Sequence, residues 1–273
     1  MLTFIISMRA RALSRDWDHH CRLLQRTLDS ILAQTNPEFN AVVVCHDIPD
    51  IPQAKNAVVH MVTVDYPPPQ RNNDDMCRDK VLKISRGVEW AIARASDYVM
   101  FVDADDLVSR RLSEFVAAHP ESNGWYFHTG YSHRYGERWV RKHMPHHLIC
   151  GTGVIVRTNL LRFANSDFCR GENANTLAAA GMENYLGLLA AQGAPIQPLP
   201  FPGAVYVLHA DSTSEVPGGS GYRLGGAGTP RPLLRRVLSW GKQTAKKLPK
   251  IVPITRTIRA EFTIPKTINE SLG

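Results

Sequence analysis

The chain has 273 residues, 44% of them hydrophobic and 21% charged, which is ordinary globular composition and argues against a fibrous or low-complexity polymer. No apolar stretch approaches the roughly 18–20 residues that span a bilayer. The five cysteines (Cys21, Cys45, Cys77, Cys150 and Cys169) form no close pair, which argues against a disulfide framework or zinc ribbon and suits a reducing cytoplasm. The formal net charge of +7 is unevenly placed: residues 223–266 hold 11 Lys/Arg against the single acid Glu261, a local +10 that leaves −3 for the remainder. The basic character therefore belongs to the tail, and the body is not expected to bind nucleic acid.

Taken in chain order, Leu2–Ser7 reads as a first core strand rather than a signal peptide, because no basic stretch precedes it. Trp17 to Gln34 carries Cys21, Leu24, Leu28, Ile31 and Leu32 at helical spacing, and Asn36-Pro37 ends that helix. Phe39–Cys45 is a second buried strand, and Val58–Val64 a third that runs into Asp65 and a Tyr66-Pro67-Pro68-Pro69 loop. Asp79–Arg94 is the next amphipathic helix and Tyr98–Val102 the fourth strand. This alternation predicts an α/β domain with a mostly parallel sheet. Further on, Trp125–Tyr131 and Glu137–Arg141 suggest a hairpin around Gly136. Val154–Val156 leads into a helix from Asn159, Asn175–Gln192 is a helix closed by Gly193, and Ala204–Leu208 is a last strand ending at His209. Residues 216–230 are rich in Gly and Ser, a linker by composition. Beyond it, Leu233, Leu234, Val237, Leu238 and Trp240 alternate with Arg235, Arg236, Lys242, Lys246 and Lys247. Such a helix suits an anionic membrane surface; a helix packed on the body or a disordered basic tail is the alternative.

The most telling stretch is Tyr98-Val99-Met100-Phe101-Val102-Asp103-Ala104-Asp105-Asp106. A continuous apolar run is the mark of a strand buried on both faces. Ligands of open α/β sheets bind beyond the carboxyl ends of such strands. Alternate residues of an extended segment point the same way, which places Asp103 and Asp105 on the same side of the chain, and a hard divalent cation would relieve their repulsion. Mg²⁺ or Mn²⁺ takes oxygen ligands, commonly one or two carboxylates plus substrate phosphates. A solvated acidic turn, with Asp106 or Ser109 capping the next helix, accounts for the local pattern equally well.

In context, these residues resemble the inverting, nucleotide-sugar-dependent glycosyltransferases of the GT-A fold, family 2-like. The resemblance is carried by Phe4–Ser7, by Leu24–Leu32, by Val42–Val44 ending in Cys45-His46-Asp47, by Lys83–Ala91, and above all by Asp97–Asp106. It covers roughly residues 1–211. It implies a GT-A-like domain over 1–215, a linker over 216–230 and a basic, partly amphipathic tail over 231–273. It also implies a nucleoside-diphosphate sugar donor, Mn²⁺ or Mg²⁺, and a glycan, lipid-linked or small-molecule acceptor. Asp103 would serve ribose and metal, Asp105 would coordinate the metal directly, and Asp106 could take part. Asp47 would meet the nucleobase, or else serve as a turn residue before Pro49. His209 would be a third metal ligand, or else an ordinary strand-end histidine. Ser7, Arg9 and Lys83 are placed among the donor contacts, with Arg11 beside Arg9 near the diphosphate, or else both arginines are ordinary surface residues.

An inverting transferase needs a base for the acceptor hydroxyl. The family's Glu-Asp pair corresponds to Glu183-Asn184, and an amide cannot accept that proton. Glu183 is the candidate base, with Asp211 and Glu172 as substitutes. Asn184 leaves open a shifted base, a different stereochemical course, or an inactive nucleotide-sugar-binding or scaffold relative. His143, His146 and His147 share a loop without the Cys or acidic spacing of a zinc site. Trp125, Tyr126, Tyr131 and Tyr135 suit either core packing or stacking on an acceptor sugar. Gly151-Thr152-Gly153 lacks the lysine of a phosphate-binding loop. The expected location is cytoplasmic, with residues 231–250 touching the inner face of a membrane.

Overall fold

The computed structural model describes residues 1–162, 186–187, 189–209 and 250–265. The order is β1 (Leu2–Ser7), α1 (Trp17–Leu32), β2 (Phe39–Cys45), β3 (Val59–Thr63), α2 (Asn73–Ala93), β4 (Tyr98–Asp103), β5 (Leu107–Val108) and α3 (Leu112–Ala117). There follow β6 (Gly124–Tyr126), β7 (Gly130–Arg134), β8 (Trp139–His143), β9 (Val154–Arg157), α4 (Thr158–Arg162), β10 (Gln197–Pro198), β11 (Ala204–Leu208), β12 (Lys250–Pro253) and α5 (Arg256–Phe262).

A seven-stranded sheet has the order β10-β6-β9-β4-β1-β2-β3. Its β4-β1-β2-β3 portion is parallel, and β9 runs antiparallel to both β4 and β6. The molecule is thus mixed α/β with a mostly parallel central sheet. Side chains of β1 alternate between the two layers: Phe4 and Ile6 join Leu24, Leu28 and Ile31 of α1, while Ile5 joins Ile84 and Val88 of α2. Gly87 lets α2 come close, since a Cβ there would collide with Ile5. Asp16 caps α1 by accepting from the His19 N–H at 2.8 Å. Asn72 caps α2 by accepting from the Asp75 N–H at 2.8 Å. That cap, followed by Asp74 and Asp75 in the first turn, where the positive end of the helix dipole favours acids, starts α2 six residues earlier than its apolar periodicity predicts.

The segment 125–131 is not one strand. It breaks at Phe127 and His128, so that β6 joins the large sheet and β7 the smaller one, of order β12-β8-β7-β11-β5. The smaller sheet covers a core of Leu107, Tyr131, Val140, Val205, Val207, Phe262 and Ile264. Here the expected division of the chain is corrected. Residues 250–265 belong to the body, because β12 pairs antiparallel with β8 from Lys250↔Lys142 to Pro253↔Trp139, and Phe262 of α5 is buried in that core. Glu261 ties α5 down, accepting from Ser109 Oγ at 2.5 Å and from Arg111 Nε at 2.8 Å. The Leu/Trp stretch at 233–240 and most of the expected 175–192 helix lie outside the described residues. No helix among the described residues is long and apolar enough to cross a membrane.

Candidate functional site

In the parallel portion Ser7 stands in register with Val44 on one side and with Asp103 on the other. Ser7 and Asp103 therefore share the carboxyl-terminal rim, where open α/β sheets bind ligands. The strand stops at Asp103, however, and residues 104–106 form a turn in which the Asp106 N–H donates to the Asp103 carbonyl at 3.1 Å. Strand alternation therefore does not relate Asp103 to Asp105. Instead the turn gives each of the three carboxylates a separate environment.

Asp103 is paired with Lys80 of α2, and its backbone N–H donates to Thr152 Oγ1 at 2.9 Å. Gly151 lies directly over it: a Cβ at that position would stand 2.6 Å from Asp103 Oδ2 and 3.3 Å from Lys80 Nζ. Asp105 Oδ2 is 2.7 Å from Nε2 of His209, which follows β11. The His209 ring in turn meets His19 of α1 edge-on, with centroids 5.5 Å apart. Burial, and then the neighbouring His209, push the His19 imidazole below its ordinary pKa. About a quarter of each side chain of Asp103 and Asp105 remains accessible.

Asp106 points inward and is wholly buried. Its carboxyl accepts from Thr152 Oγ1 at 2.6 Å, from Cys150 Sγ at 3.0 Å and from the Val207 N–H at 3.1 Å. Burial raises its pKa well above the usual carboxylate range, and the charges of Asp105 and Asp103 push the same way. Asp106 thus braces the rim from beneath, tying the turn to β11 and to the 150–152 segment. The expected helix cap is corrected too: α3 begins at Leu112 with no side-chain cap, and Ser109 bonds Glu261 instead.

The other expected donor contacts are spread around the rim. Arg9 is half-buried in the segment after β1. Asp47 accepts from the Arg11 N–H at 3.0 Å, which fastens that segment to the end of β2. Lys83 departs from its expected role. Fully buried, it donates to the Met8 carbonyl at 2.8 Å and to Asp79 Oδ2 at 2.7 Å. It supports the end of β1 from below and presents no ammonium to a ligand. Burial lowers its pKa, and the bond to Asp79 opposes that shift. Asp79 also bonds His46 Nε2 at 2.8 Å, so β1, β2 and α2 are knotted together beneath the rim. Glu172, Glu183, Asn184 and Asp211 lie outside the described residues. A groove of about 410 Å³ between β3 and α2, lined in part by Asp65, Tyr66, Ser85 and Arg86, contains none of Asp103, Asp105 or His209.

Lys80, Gly151, Thr152, Cys150 and His19 join the rim only in the folded structure and are not among the site residues the sequence points to. A usable signal existed for Lys80, which lies one helical turn before Lys83 on the same face of α2. Gly151 and Thr152 had none, since only the fold brings them 46 or more residues back to Asp103 and Asp106.

Among the described residues, no three His, Cys, Asp or Glu side chains converge as a cage able to hold a metal. The residues nevertheless fit Mg²⁺ or Mn²⁺ held partly by a phosphate-bearing ligand, because these ions need only one or two protein carboxylates. Asp103 already carries a cation, the Lys80 ammonium, and Asp105 and His209 place an oxygen and a nitrogen side by side.

No protein-family model matches this chain, and no curated protein matches it. Solved structures with a similar chain path include S. aureus TarS, with a TM-score of 0.47 and 15% identity over 76% of this chain and 36% of that one. Residues 1–349 of S. aureus TarS in complex with UDP give the same score and identity, over 76% and 60%. A cytidylyltransferase from Leptospira borgpetersenii serovar Hardjo-bovis (strain JB197) gives 0.42 and 13%, over 73% and 75%. The chain thus spans less than two thirds of the length of those TarS chains. At this level of likeness nothing about activity passes from these proteins to this chain.

Proposed function

We propose that the chain is a metal-dependent glycosyltransferase of GT-A-like fold, moving a sugar from a nucleoside-diphosphate donor to a glycan, lipid-linked or small-molecule acceptor. The observation that supports this best is the rim itself. An acidic turn closes the central parallel strand β4, with Asp103 beside a glycine, Asp105 beside His209, and both carboxylates partly open to solvent. One or two of Asp103, Asp105 and His209, together with phosphates of the donor, would hold Mn²⁺ or Mg²⁺. When bound, the ion supplies Lewis-acid stabilisation of the negative charge that gathers on the leaving diphosphate. Asp103 would also bind the ribose, and Ser7 and Arg9 would line the donor, with Asp47 toward the base. Lys80 would keep Asp103 aimed. Glu183, or Asp211 in its place, would take the proton of the attacking acceptor hydroxyl, an inverting displacement.

Calorimetric titration with UDP and UDP-sugars, with and without Mn²⁺, tests the reading. Donor affinity should depend on Mn²⁺, and Asp105→Asn should weaken it at least tenfold in an unaltered fold. Unchanged affinity in that variant would overturn the metal assignment. Asn184 favours one rival, a nucleotide-sugar-binding or scaffold protein that has lost its base. Turnover separates the two: Glu183→Gln should lower turnover far more than donor affinity, whereas donor binding without turnover on any acceptor supports the rival. Residues 231–250 would carry the chain to the cytoplasmic face of an anionic membrane.

A further inference from the structure

The loop 144–149, which follows β8, turns three large apolar side chains to solvent: Met144 is 60% exposed, Leu148 43% and Ile149 42%. It is nevertheless an anchored loop. His146 and His147 at its centre are buried. Their backbone N–H groups donate to the His128 and Phe127 carbonyls at 3.0 Å, and the Ile149 N–H donates to the His146 carbonyl at 2.9 Å. The middle of the loop is therefore held inward while its two flanks face out. One residue beyond Ile149 the rim begins, with Cys150 and Thr152 on Asp106 and Gly151 against Asp103. Single exposed apolar residues are common on any surface, but three on one anchored loop beside the acidic rim form a patch that marks a contact.

The charge around this loop indicates the partner. Lys142, two residues before Met144, lies opposite Lys250 across the β8–β12 pair. The chain leading into β12, residues 231–250, carries seven Lys/Arg and no acid. An apolar patch bordered by lysines and joined to a cationic segment matches an anionic bilayer. The apolar side chains enter the acyl boundary and the lysines meet the headgroups.

We propose that loop 144–149 is a membrane-docking element that seats the Asp103/Asp105 rim on an anionic lipid surface. This rests on the transferase reading with peripheral membrane contact, and it narrows the acceptor to an amphiphile held in that surface. The basic segment supplies long-range attraction, and the loop fixes which face of the molecule meets the lipid.

The full chain should cosediment with vesicles of phosphatidylglycerol and phosphatidylcholine and much less with phosphatidylcholine alone. The combined Met144→Ser, Leu148→Ser and Ile149→Ser variant should partition at least tenfold more weakly at the same salt, with its melting temperature and its UDP affinity in Mn²⁺ unchanged. Hydrogen exchange on the unaltered chain gives a second measurement that needs no variant, since phosphatidylglycerol vesicles should slow exchange several-fold at residues 143–150. Equal partitioning of the variant, no protection at 143–150, or a loop covered instead by residues 210–249 (a changed melting temperature with unchanged partitioning) would each overturn the docking proposal. Intact UDP binding alongside any of these results leaves the transferase reading standing, whereas absent UDP binding removes that reading as well.

Discussion

In the seven-stranded sheet the parallel strands β1, β2, β3 and β4 come from one run of residues, 2–103, each a largely apolar segment, and β1 pairs both with the next strand β2 and with β4, 96 residues on. The five-stranded sheet draws β5, β7, β8, β11 and β12 from positions between 107 and 253. It is tied together by isolated polar contacts, Asp106 to β11 and Glu261 to Ser109 and Arg111. The first sheet gets its specificity from alternating layers of apolar side chains, and the second from a small core plus a few bonds between distant residues. The candidate site lies where the two meet: Asp103 ends a strand of the first, and Asp105 reaches His209 at the end of a strand of the second. Ordering of the second sheet is therefore a condition for assembling the site.

The sharpest way to break this contrast is to empty the small core from its C-terminal side. Phe262→Ala removes a ring that is 1% exposed, and truncations of that kind cost about 3–5 kcal/mol. Urea unfolding should show the loss, and it should reach Asp105 through β11, weakening donor binding as well. If α5 were an independent appendage, stability would change by less than about 0.5 kcal/mol, as for surface substitutions.

Asp106→Ala tests the polar tie. It removes the acceptor for Thr152, Cys150 and the Val207 N–H, each a buried donor worth about 1–3 kcal/mol when left unsatisfied. Relief of the burial cost of the carboxyl offsets part of this. We expect a net loss of about 2–3 kcal/mol by the same unfolding measurement, with Asp105→Ala costing under about 1 kcal/mol.

How far the sequence revealed these two regions follows from the same physics. Strands β1 and β2 match their expected bounds residue for residue, because a doubly covered strand must be apolar throughout and ends where its neighbours end. The acidic end of β4 stands out for the same reason, as an abrupt change from Phe101-Val102 to three aspartates. What escaped was whatever depends on pairing across long separations. Nothing in Lys250–Pro253 announces a partner in Trp139–His143, and a basic tail hid a sheet strand and a helix with one buried phenylalanine. A lysine at the position of Lys83 suggests a ligand contact by its resemblance alone, whereas burial and Asp79 turn it into a strut. The distinct roles of Asp103, Asp105 and Asp106 required the turn, which composition does not encode.

Acid offers a graded way to loosen the second region. His146 is fully buried beneath Gly130, and burial, together with the nearby His143 and His147, pushes its imidazole down to about 3. Burial lowers His143 and His133 as well. The unfolded chain takes up a proton at His146 near pH 6.5 while the native state refuses it until about 3, so stability is full above 6.5 and falls as the pH drops through that window. One such group contributes a slope of about 1.4 kcal/mol per pH unit. Urea unfolding at pH 7, 6 and 5 should show the decline, and His146→Leu should flatten it by about one proton while leaving the pH 7 value much closer to that of the unaltered chain. An unchanged slope would mean that His146 is protonated in the native state.

The mildest perturbation acts where the two regions touch. Gly151→Ala puts a methyl group 2.6 Å from Asp103 Oδ2, too near to coexist with the present position of the oxygen. Yet the obstacle is the far end of a partly exposed side chain, which can turn aside without moving backbone. Stability should therefore stay within about 0.5 kcal/mol, as surface substitutions do, while the carboxylate is driven off its alignment with Lys80. If Asp103 serves a bound cation and ribose, Mn²⁺-dependent affinity for UDP should fall about tenfold, and calorimetry reads that directly. Full affinity in a well-folded Gly151→Ala protein would show that Asp103 does not need its position. The acidic turn would then be a structural joint between two sheets and nothing more.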